Sequence, residues 1–405
     1  MKKFTSLFLL IILIMLYSCK ESVTPATANY TVIVNNGYGG GTHKIGDTVH
    51  IFSQAYTSTQ GFSSWSGSDV SLLNAPNEWH TWFIMPGRNV NFTGSLQNIN
   101  AFALSYEQIN GRDRLKPVYS YFPSGHIGIV YLLHGTGGNA ANIVADYEWQ
   151  LLINDLVNAN FAVIITESEE ATTNTDLNGD GNLRWNATPL DTVSNVDYAN
   201  IRIITDTFYG RGVTDRGKPQ YSIGMSNGGN FSTYLSTIYN FKSGVSYCAP
   251  SGGYIAQKTN VPLQFCMARF DNNPSVGPTG NANALSNSQA IEARSVCSKY
   301  LIKERSPLYA ERFARRGDIS VQISTSIFNE LKANHFLDSK NYFIGYSDSL
   351  QALLTSNPSA FPQITSLTPV QQYFVLEQID LAVSDHKMYS DFNKATLKFL
   401  NTQCQ

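Results

Sequence analysis

The sequence predicts an α/β fold, a mostly parallel sheet flanked by helices, preceded by a small β-rich domain. Two observations carry this. From about residue 102 onward, apolar runs recur between helix-length stretches: Ile127–Leu133, Phe161–Ile165, Tyr221–Gly224, Gly244–Cys248, Pro262–Met267 and Tyr373–Ile379. Several are near-continuous β-branched or aromatic runs, as in strands buried on both faces. Stretches of helical pattern lie between some of them, 142–157 and 229–241 among them. That alternation builds βαβ units and a parallel sheet, with function expected on loops at the carboxyl ends of the strands. Residues 30–98 differ. There, short alternating runs are broken by Gly, Asn and Asp turns, which are strand-and-turn signals.

The chain has 405 residues, more than one ordinary domain of ~100–200 residues. With 42% hydrophobic residues it has material for a sizeable core, which excludes wholesale disorder. Lys and Arg total 28 against 30 Asp and Glu. No basic excess exists to neutralise phosphates, so nucleic acid is not an expected partner. Charged residues are 14%, below the usual ~25%, which suits an uncharged, hydrogen-bonding surface.

Met1-Lys2-Lys3 opens the chain, and an apolar run follows from Phe4 to Tyr17. A charged start and a short apolar core form a secretory signal pattern, too short for a spanning helix of ~20 residues. The run ends Leu16-Tyr17-Ser18-Cys19, which resembles the bacterial lipobox. That resemblance implies a leader over 1–19, acylation of Cys19 and a membrane-anchored lipoprotein outside the cytoplasm. A plain signal peptide with an incidental Cys is the alternative. Residues 20–29 read as a polar tether. Lys20, and not Asp, follows the Cys, which by the same resemblance implies the outer membrane. The other cysteines, 248, 266, 297 and 404, allow three pairings. An exported chain permits disulfides, and sequence does not choose among them. No CxxC or Cys/His cluster points to zinc.

In residues 30–98, a Gly-rich turn (Gly37-Tyr-Gly-Gly-Gly), Gly46-Asp47-Thr-Val, Trp65-Ser-Gly67 and Met85-Pro86 follow one another. The segment resembles the divergent internalin B-repeat family of Listeria–Bacteroides type, which implies a small β-rich module. Trp65 and Trp82 are expected in its core, because so short a domain needs its aromatics for burial; a sugar-stacking platform is the alternative.

The chemistry is expected downstream. Gly224-Met225-Ser226-Asn227-Gly228 follows the strand Tyr221–Ile223 and precedes a helix-compatible segment. This is G-x-S-x-G in the strand–turn–helix setting that a nucleophilic Ser requires. The sharp turn lifts the hydroxyl above the sheet, and Gly224 and Gly228 avoid the clashes that side chains would make there. The helix amino end then points free N–H groups at developing negative charge. Upstream, His134-Gly135-Thr136-Gly137-Gly138 ends an apolar strand. It resembles the His-Gly-x-x-Gly oxyanion motif of esterases and lipases. The expected donors are the N–H of Thr136, or a neighbour within 135–137, and that of Asn227. His134 is expected to orient this loop.

The order in this setting is Ser, then acid, then His. After Ser226 only His335 and His386 remain. His386 lies between the run Tyr373–Ile379, read as the last strand, and a terminal helix 389–400, where the base belongs. His335 reads as structural. Asp271 follows the penultimate strand, where an acid can hold the imidazole tautomer. Asp385, beside His386, is expected to point elsewhere.

Together these residues resemble the α/β-hydrolase superfamily, and within it the secreted polyhydroxybutyrate depolymerase and feruloyl or acetyl-xylan esterase branch. The resemblance covers most of 102–405. It implies a carboxylic-ester hydrolase with a Ser226–His386–Asp271 triad and no required cofactor, acting on a polysaccharide-linked or polyester-derived ester. A serine peptidase on the same fold, or a surface glycan-binding protein using the fold as a scaffold, are the alternatives. Residues of about 300–365 read as a largely helical insertion that caps the site or lies beside it.

Asp176, Asn178, Asp180 and Asn182 match D-x-[DN]-x-[DN]-G, with Gly181 sixth. Oxygen ligands at alternating positions suit a hard cation, here a structural Ca2+. The twelfth position is Ala187, so a ligand would be borrowed from Glu167, Glu169 or Asp191. A surface Asn/Gly turn is the alternative.

Overall fold

The structure is a computed structural model that describes residues 28–54, 56, 57 and 59–404. The leader, Cys19 and residues 20–27 of the tether lie outside the described residues.

Seven strands come first: β1 Asn29–Asn35, β2 Gly37–Tyr38, β3 Gly41–Lys44, β4 Thr48–Ser53, β5 Gln60–Ser66, β6 His80–Ile84 and β7 Val90–Asn98. They form two sheets, β3-β1-β7-β5 and β2-β4-β6. Apolar side chains from both meet in one core that includes Val32, Ile51, Phe62 and Phe92. Trp65 is in that core, its Nε1–H donating to Glu78 O at 3.0 Å. Trp82 is only half-buried, opposite His50 in the β4–β6 register. Tyr309, from far downstream, enters the same core and stacks on Phe52 at 4.4 Å.

Eight strands follow: β8 Ser105–Asn110, β9 Leu115–Tyr121, β10 Ile129–Leu133, β11 Ala162–Ile165, β12 Gln220–Met225, β13 Ser243–Tyr247, β14 Leu263–Ala268 and β15 Ser298–Lys303. Their order is β8-β9-β11-β10-β12-β13-β14-β15. β8 and β9 are antiparallel additions, and the rest run parallel. Every residue of β10, β11, β13 and β14 is buried. Helices cover both faces, so these strands carry continuous apolar runs. The order and the crossovers are those of the α/β-hydrolase fold.

Several sequence expectations are corrected here. The run Tyr373–Ile379 is not a strand. It lies inside the helix Pro369–Val383, which opens with a Thr368–Gln371 capping box and Pro at its first turn. Phe374, Val375, Ile379, Leu381, Ala382 and Val383 are all buried, so the helix is apolar over most of its surface and its period is masked. The last strand is β15, at the start of the stretch read as an insertion. The extra segment therefore runs from after Lys303 to Val383, with helices Val321–Ala333, Ser347–Ser356 and Pro369–Val383. Near the start of the stretch read as largely helical there is only a single 3-10 turn, Arg312–Ala314. The helical stretch 142–157 is two helices, Ala140–Ala145 and Tyr147–Asn158, divided at Asp146.

Cys297 and Cys404 form a disulfide that ties the start of β15 to the carboxyl terminus. Cys248 and Cys266 are buried and unpaired.

Candidate active site

Ser226 stands between β12 and the helix Asn227–Tyr239, with φ 57° and ψ −125°. Such a conformation costs ~1–3 kcal/mol for a residue with a side chain and persists only where neighbours impose it. Here its N–H donates to Tyr247 O at 2.8 Å. A Cβ on Gly224 would sit 2.0 Å from Gly228 O, and one on Gly228 would sit 2.3 Å from both Leu133 O and His134 O. Both glycines of the motif are therefore required by close backbone approach.

His386 Nε2 lies 2.8 Å from Ser226 Oγ, and Nδ1 lies 2.7 Å from Asp271 Oδ2. Asp271 is 3% exposed, and its Oδ1 accepts the N–H of Asn273 at 2.9 Å. With Nδ1–H donating to the carboxylate, the Nε2 lone pair faces the Ser hydroxyl, the tautomer a general base needs. Residues separated by 45 and 115 positions from their neighbours in this chain thus converge on one line. Asp385 does point elsewhere, as expected. Its Oδ1 accepts the N–H groups of His386 at 2.6 Å and Asn272 at 2.8 Å, clamping the His386 loop to the Asp271 loop. Ser384 adds a second latch. Its Oγ donates to Lys303 O at 2.7 Å and accepts Arg269 N–H at 3.0 Å, while its carbonyl accepts Phe270 N–H at 3.0 Å. Sequence reasoning missed Ser384; its left-handed φ of 68° at a helix end is not marked by Gly or Asn.

The loop after β10 brings Gly135 against Ser226, where a Cβ would be 3.2 Å from Ser226 Cβ. Within 135–137, the N–H of Gly137 is engaged by Leu183 O at 2.8 Å. The N–H groups of Thr136 and Asn227 have no partner among the described residues. Both belong to the walls of the cavity that holds Ser226. His134 Nδ1–H donates to Gly135 O at 2.7 Å, and Nε2 accepts Ser168 N–H at 3.1 Å. Burial holds its pKa down to about 4, so the ring is neutral and serves the loop, in line with its expected role. Trp185 braces the same corner. Its Nε1–H donates to His134 O at 3.1 Å, and its backbone exchanges two hydrogen bonds with the Asn227 amide. His335 is exposed at the end of the helix Val321–Ala333, away from this set.

Asp176, Asn178, Asp180 and Asn182 form a compact turn beside the oxyanion loop. Asp176 Oδ1 accepts Gly179 N–H and Oδ2 accepts Gly181 N–H, both at 2.7 Å. Asp180 is ion-paired to Arg184. The expected outside ligands are occupied otherwise: Glu167 accepts Ala140 N–H, Glu169 pairs with Arg114 and Lys116, and Asp191 caps Val193 and Ser194. Glu170, which sequence reasoning passed over, grips the turn by accepting from Leu177, Arg184 and Asn186. Among the described residues the one group of three metal-binding side-chain types is Cys248, Asp271 and His386, which includes the Asp271–His386 pair itself.

The cavity over Ser226 measures about 640 Å³. Its lining includes Tyr373 and Glu377, so the extra segment does reach the site.

The sheet order and the sharp turn at Ser226 are those of the α/β-hydrolase fold, with Ser226, His386 and Asp271 brought together at the carboxyl ends of its strands. Among solved structures, the chain is similar to a dienelactone hydrolase from Anabaena variabilis, at 15% identity over 56% of this chain and 97% of that one, TM-score 0.39. It is similar to a ferulic acid esterase, at 10% identity over 50% and 90%, TM-score 0.38. It is also similar to an acylaminoacyl peptidase from Pyrococcus horikoshii, at 11% identity over 74% and 49%, TM-score 0.38. No family model and no curated protein matches the chain. The class rests on the sheet order and the turn at Ser226, and not on these likenesses.

Proposed function

We propose that the protein is a serine hydrolase of carboxylic esters. The observation that carries this reading is the unbroken line Asp271 Oδ2–His386–Ser226 Oγ, with bonds of 2.7 and 2.8 Å, beside two free peptide N–H groups. Ser226 Oγ attacks the ester carbonyl carbon while His386 Nε2 takes its proton. Asp271 holds the imidazolium that forms. The N–H groups of Thr136 and Asn227 receive the oxyanion, and one such donor is worth ~2.7–4 kcal/mol of barrier. Collapse breaks the bond to the alcohol oxygen, which leaves with the proton from His386. Water then attacks the acyl-enzyme with His386 as base, releasing the acid and restoring Ser226.

These steps use the chain's own groups and require no cofactor. A Ca2+ ion at Asp176, Asn178, Asp180 and Asn182 would be structural, stiffening the turn whose Leu183 carbonyl holds Gly137. The leader pattern and Cys19 support a lipid-anchored, extracytoplasmic protein of the outer membrane, and the Cys297–Cys404 disulfide accords with an oxidising compartment. The amino-terminal strands, read as an internalin B-repeat-like module, space or orient the enzyme at the surface. The substrate is an ester linked to a polysaccharide or derived from a polyester, as the resemblance to depolymerases and feruloyl esterases implies. Turnover of aryl acetates against peptide anilides tests the reaction class: faster ester cleavage supports the reading, and faster anilide cleavage would replace it with a peptidase.

A further inference from the structure

The cavity that holds Ser226 and His386 is also lined by Asp146 and Glu377. Asp146 caps the helix Tyr147–Asn158, one carboxyl oxygen accepting Trp149 N–H at 2.9 Å. Glu377 comes from the extra segment, on the helix Pro369–Val383, and is 4% exposed. Among the described residues no N–H or hydroxyl group donates to its carboxyl, which lines the cavity with that of Asp146. Two neighbouring carboxyl groups on one cavity wall resist ionising together. Burial and then the neighbouring Asp146 carboxylate push the Glu377 carboxyl well up from its ordinary value.

A buried carboxyl beside a half-buried one, both on the cavity wall, offers acceptor lone pairs to a ligand in the cavity. Lys387 and Arg184 line the same cavity, so the wall is not an anionic trap for a cation. Tyr373 lies one turn before Glu377 on the same helix face, 58% exposed, and lines the cavity too. An exposed ring beside strong acceptors suits a ligand with hydroxyl groups around an apolar ring face. We propose that Glu377 and Asp146, with Tyr373 beside them, form a subsite that takes the polyhydric part of the ester through its hydroxyl groups. This rests on the ester-hydrolase reading of Ser226. It assigns selectivity for esters of polyhydric alcohols to three residues, two of them contributed by the extra segment.

The test compares two substrates with the full chain: p-nitrophenyl acetate, whose leaving group has no free hydroxyl once bound as ester, and a methyl glucoside monoacetate. The readout is the ratio of kcat/KM for the sugar ester to that for the aryl ester. Glu377→Leu should lower this ratio about tenfold, the loss of hydrogen bonds to its carboxyl, mainly through KM for the sugar ester. Asp146→Ser, which keeps a helix-capping oxygen, should do the same, and Glu377→Gln should restore most of the ratio. An unchanged ratio in both Glu377→Leu and Asp146→Ser would overturn the subsite, whatever happens to the absolute rates. A wild type that cleaves the aryl ester but ignores the sugar ester would also overturn the subsite alone. A folded wild type that cleaves neither would overturn the ester reading itself.

Discussion

His80 Nδ1 lies 2.6 Å from Asp391 Oδ1, across 311 residues of chain. The bond joins β6 to the segment that follows His386. It belongs to a buried line: Tyr342 OH to His50 Nε2 at 3.2 Å, His50 Nδ1 to His80 Nε2 at 3.0 Å, then Asp391, which Lys303 Nζ also meets at 3.0 Å. Close by, Glu78 accepts the N–H groups of Lys394 and Ala395 at the start of the helix Asn393–Thr402. The amino-terminal strands thus grip the end of the chain that carries the base.

This contact makes stability depend on pH. Burial holds His80 down to about 4 and His50 to about 2 from an ordinary 6.5, so both rings are neutral when folded. A depressed His pKa contributes stability that is full above 6.5 and is lost as pH falls toward the folded value. For His80 the loss between pH 6.5 and 4 is about 3 kcal/mol. His134 acts with the same sign. In urea unfolding at pH 7 and pH 4.5, the wild type should lose more stability in acid, relative to its value at pH 7, than His80→Gln does, while the raised carboxyl of Glu78 in the same contact works in the opposite direction in both. An identical acid slope in that variant would contradict the assignment.

The turn at Ser226 sets the second expectation. A Cβ at Gly228 would meet two backbone carbonyl oxygens at 2.3 Å, and neither can swing aside. Gly228→Ala should destabilise the fold by ~1–3 kcal/mol and lower kcat/KM at least tenfold by displacing the oxyanion loop. Gly210→Ala, in open space at the end of the helix Val196–Gly210, is the control and should match wild type. Melting curves and ester kinetics on the two variants decide it.

The third concerns metal. The Asp176 carboxylate already accepts backbone N–H groups on both oxygens, and Asp180 is paired with Arg184. Treatment with EDTA should leave turnover unchanged, because no catalytic step uses an ion. Calorimetric titration with Ca2+ should give little heat and no rise in Tm. A rise of several degrees would mean that Arg184 yields Asp180 to the ion and that the turn is a true calcium site.

Much of this site is legible in the sequence. Ser226 sits in a motif whose glycines have a steric cause, and His386 follows from chain order with only His335 as a rival. Asp271 is marked by its place after a strand. Other features are hidden for physical reasons. The helix Pro369–Val383 is buried on most sides, so its apolar residues lose the 3.6-residue period and Tyr373–Ile379 looks like a strand. Its Thr368–Gln371 capping box was the available signal. β15, Ser-Lys-Tyr-Leu-Ile-Lys at the sheet edge, is less buried than its neighbours and carries two lysines, so it blends into the segment after it. Ser384, Asp385 and Glu78 act through bonds across roughly 80 to 317 positions, and no local pattern announces such bonds.

The most direct test of the account follows p-nitrophenyl acetate hydrolysis by the chain from Glu21 onward and by Ser226→Ala. The account expects turnover in the wild type and a loss of several orders of magnitude in kcat for the variant, with unchanged folding. Turnover that survives the substitution, or a folded wild type that hydrolyses no ester, would contradict it.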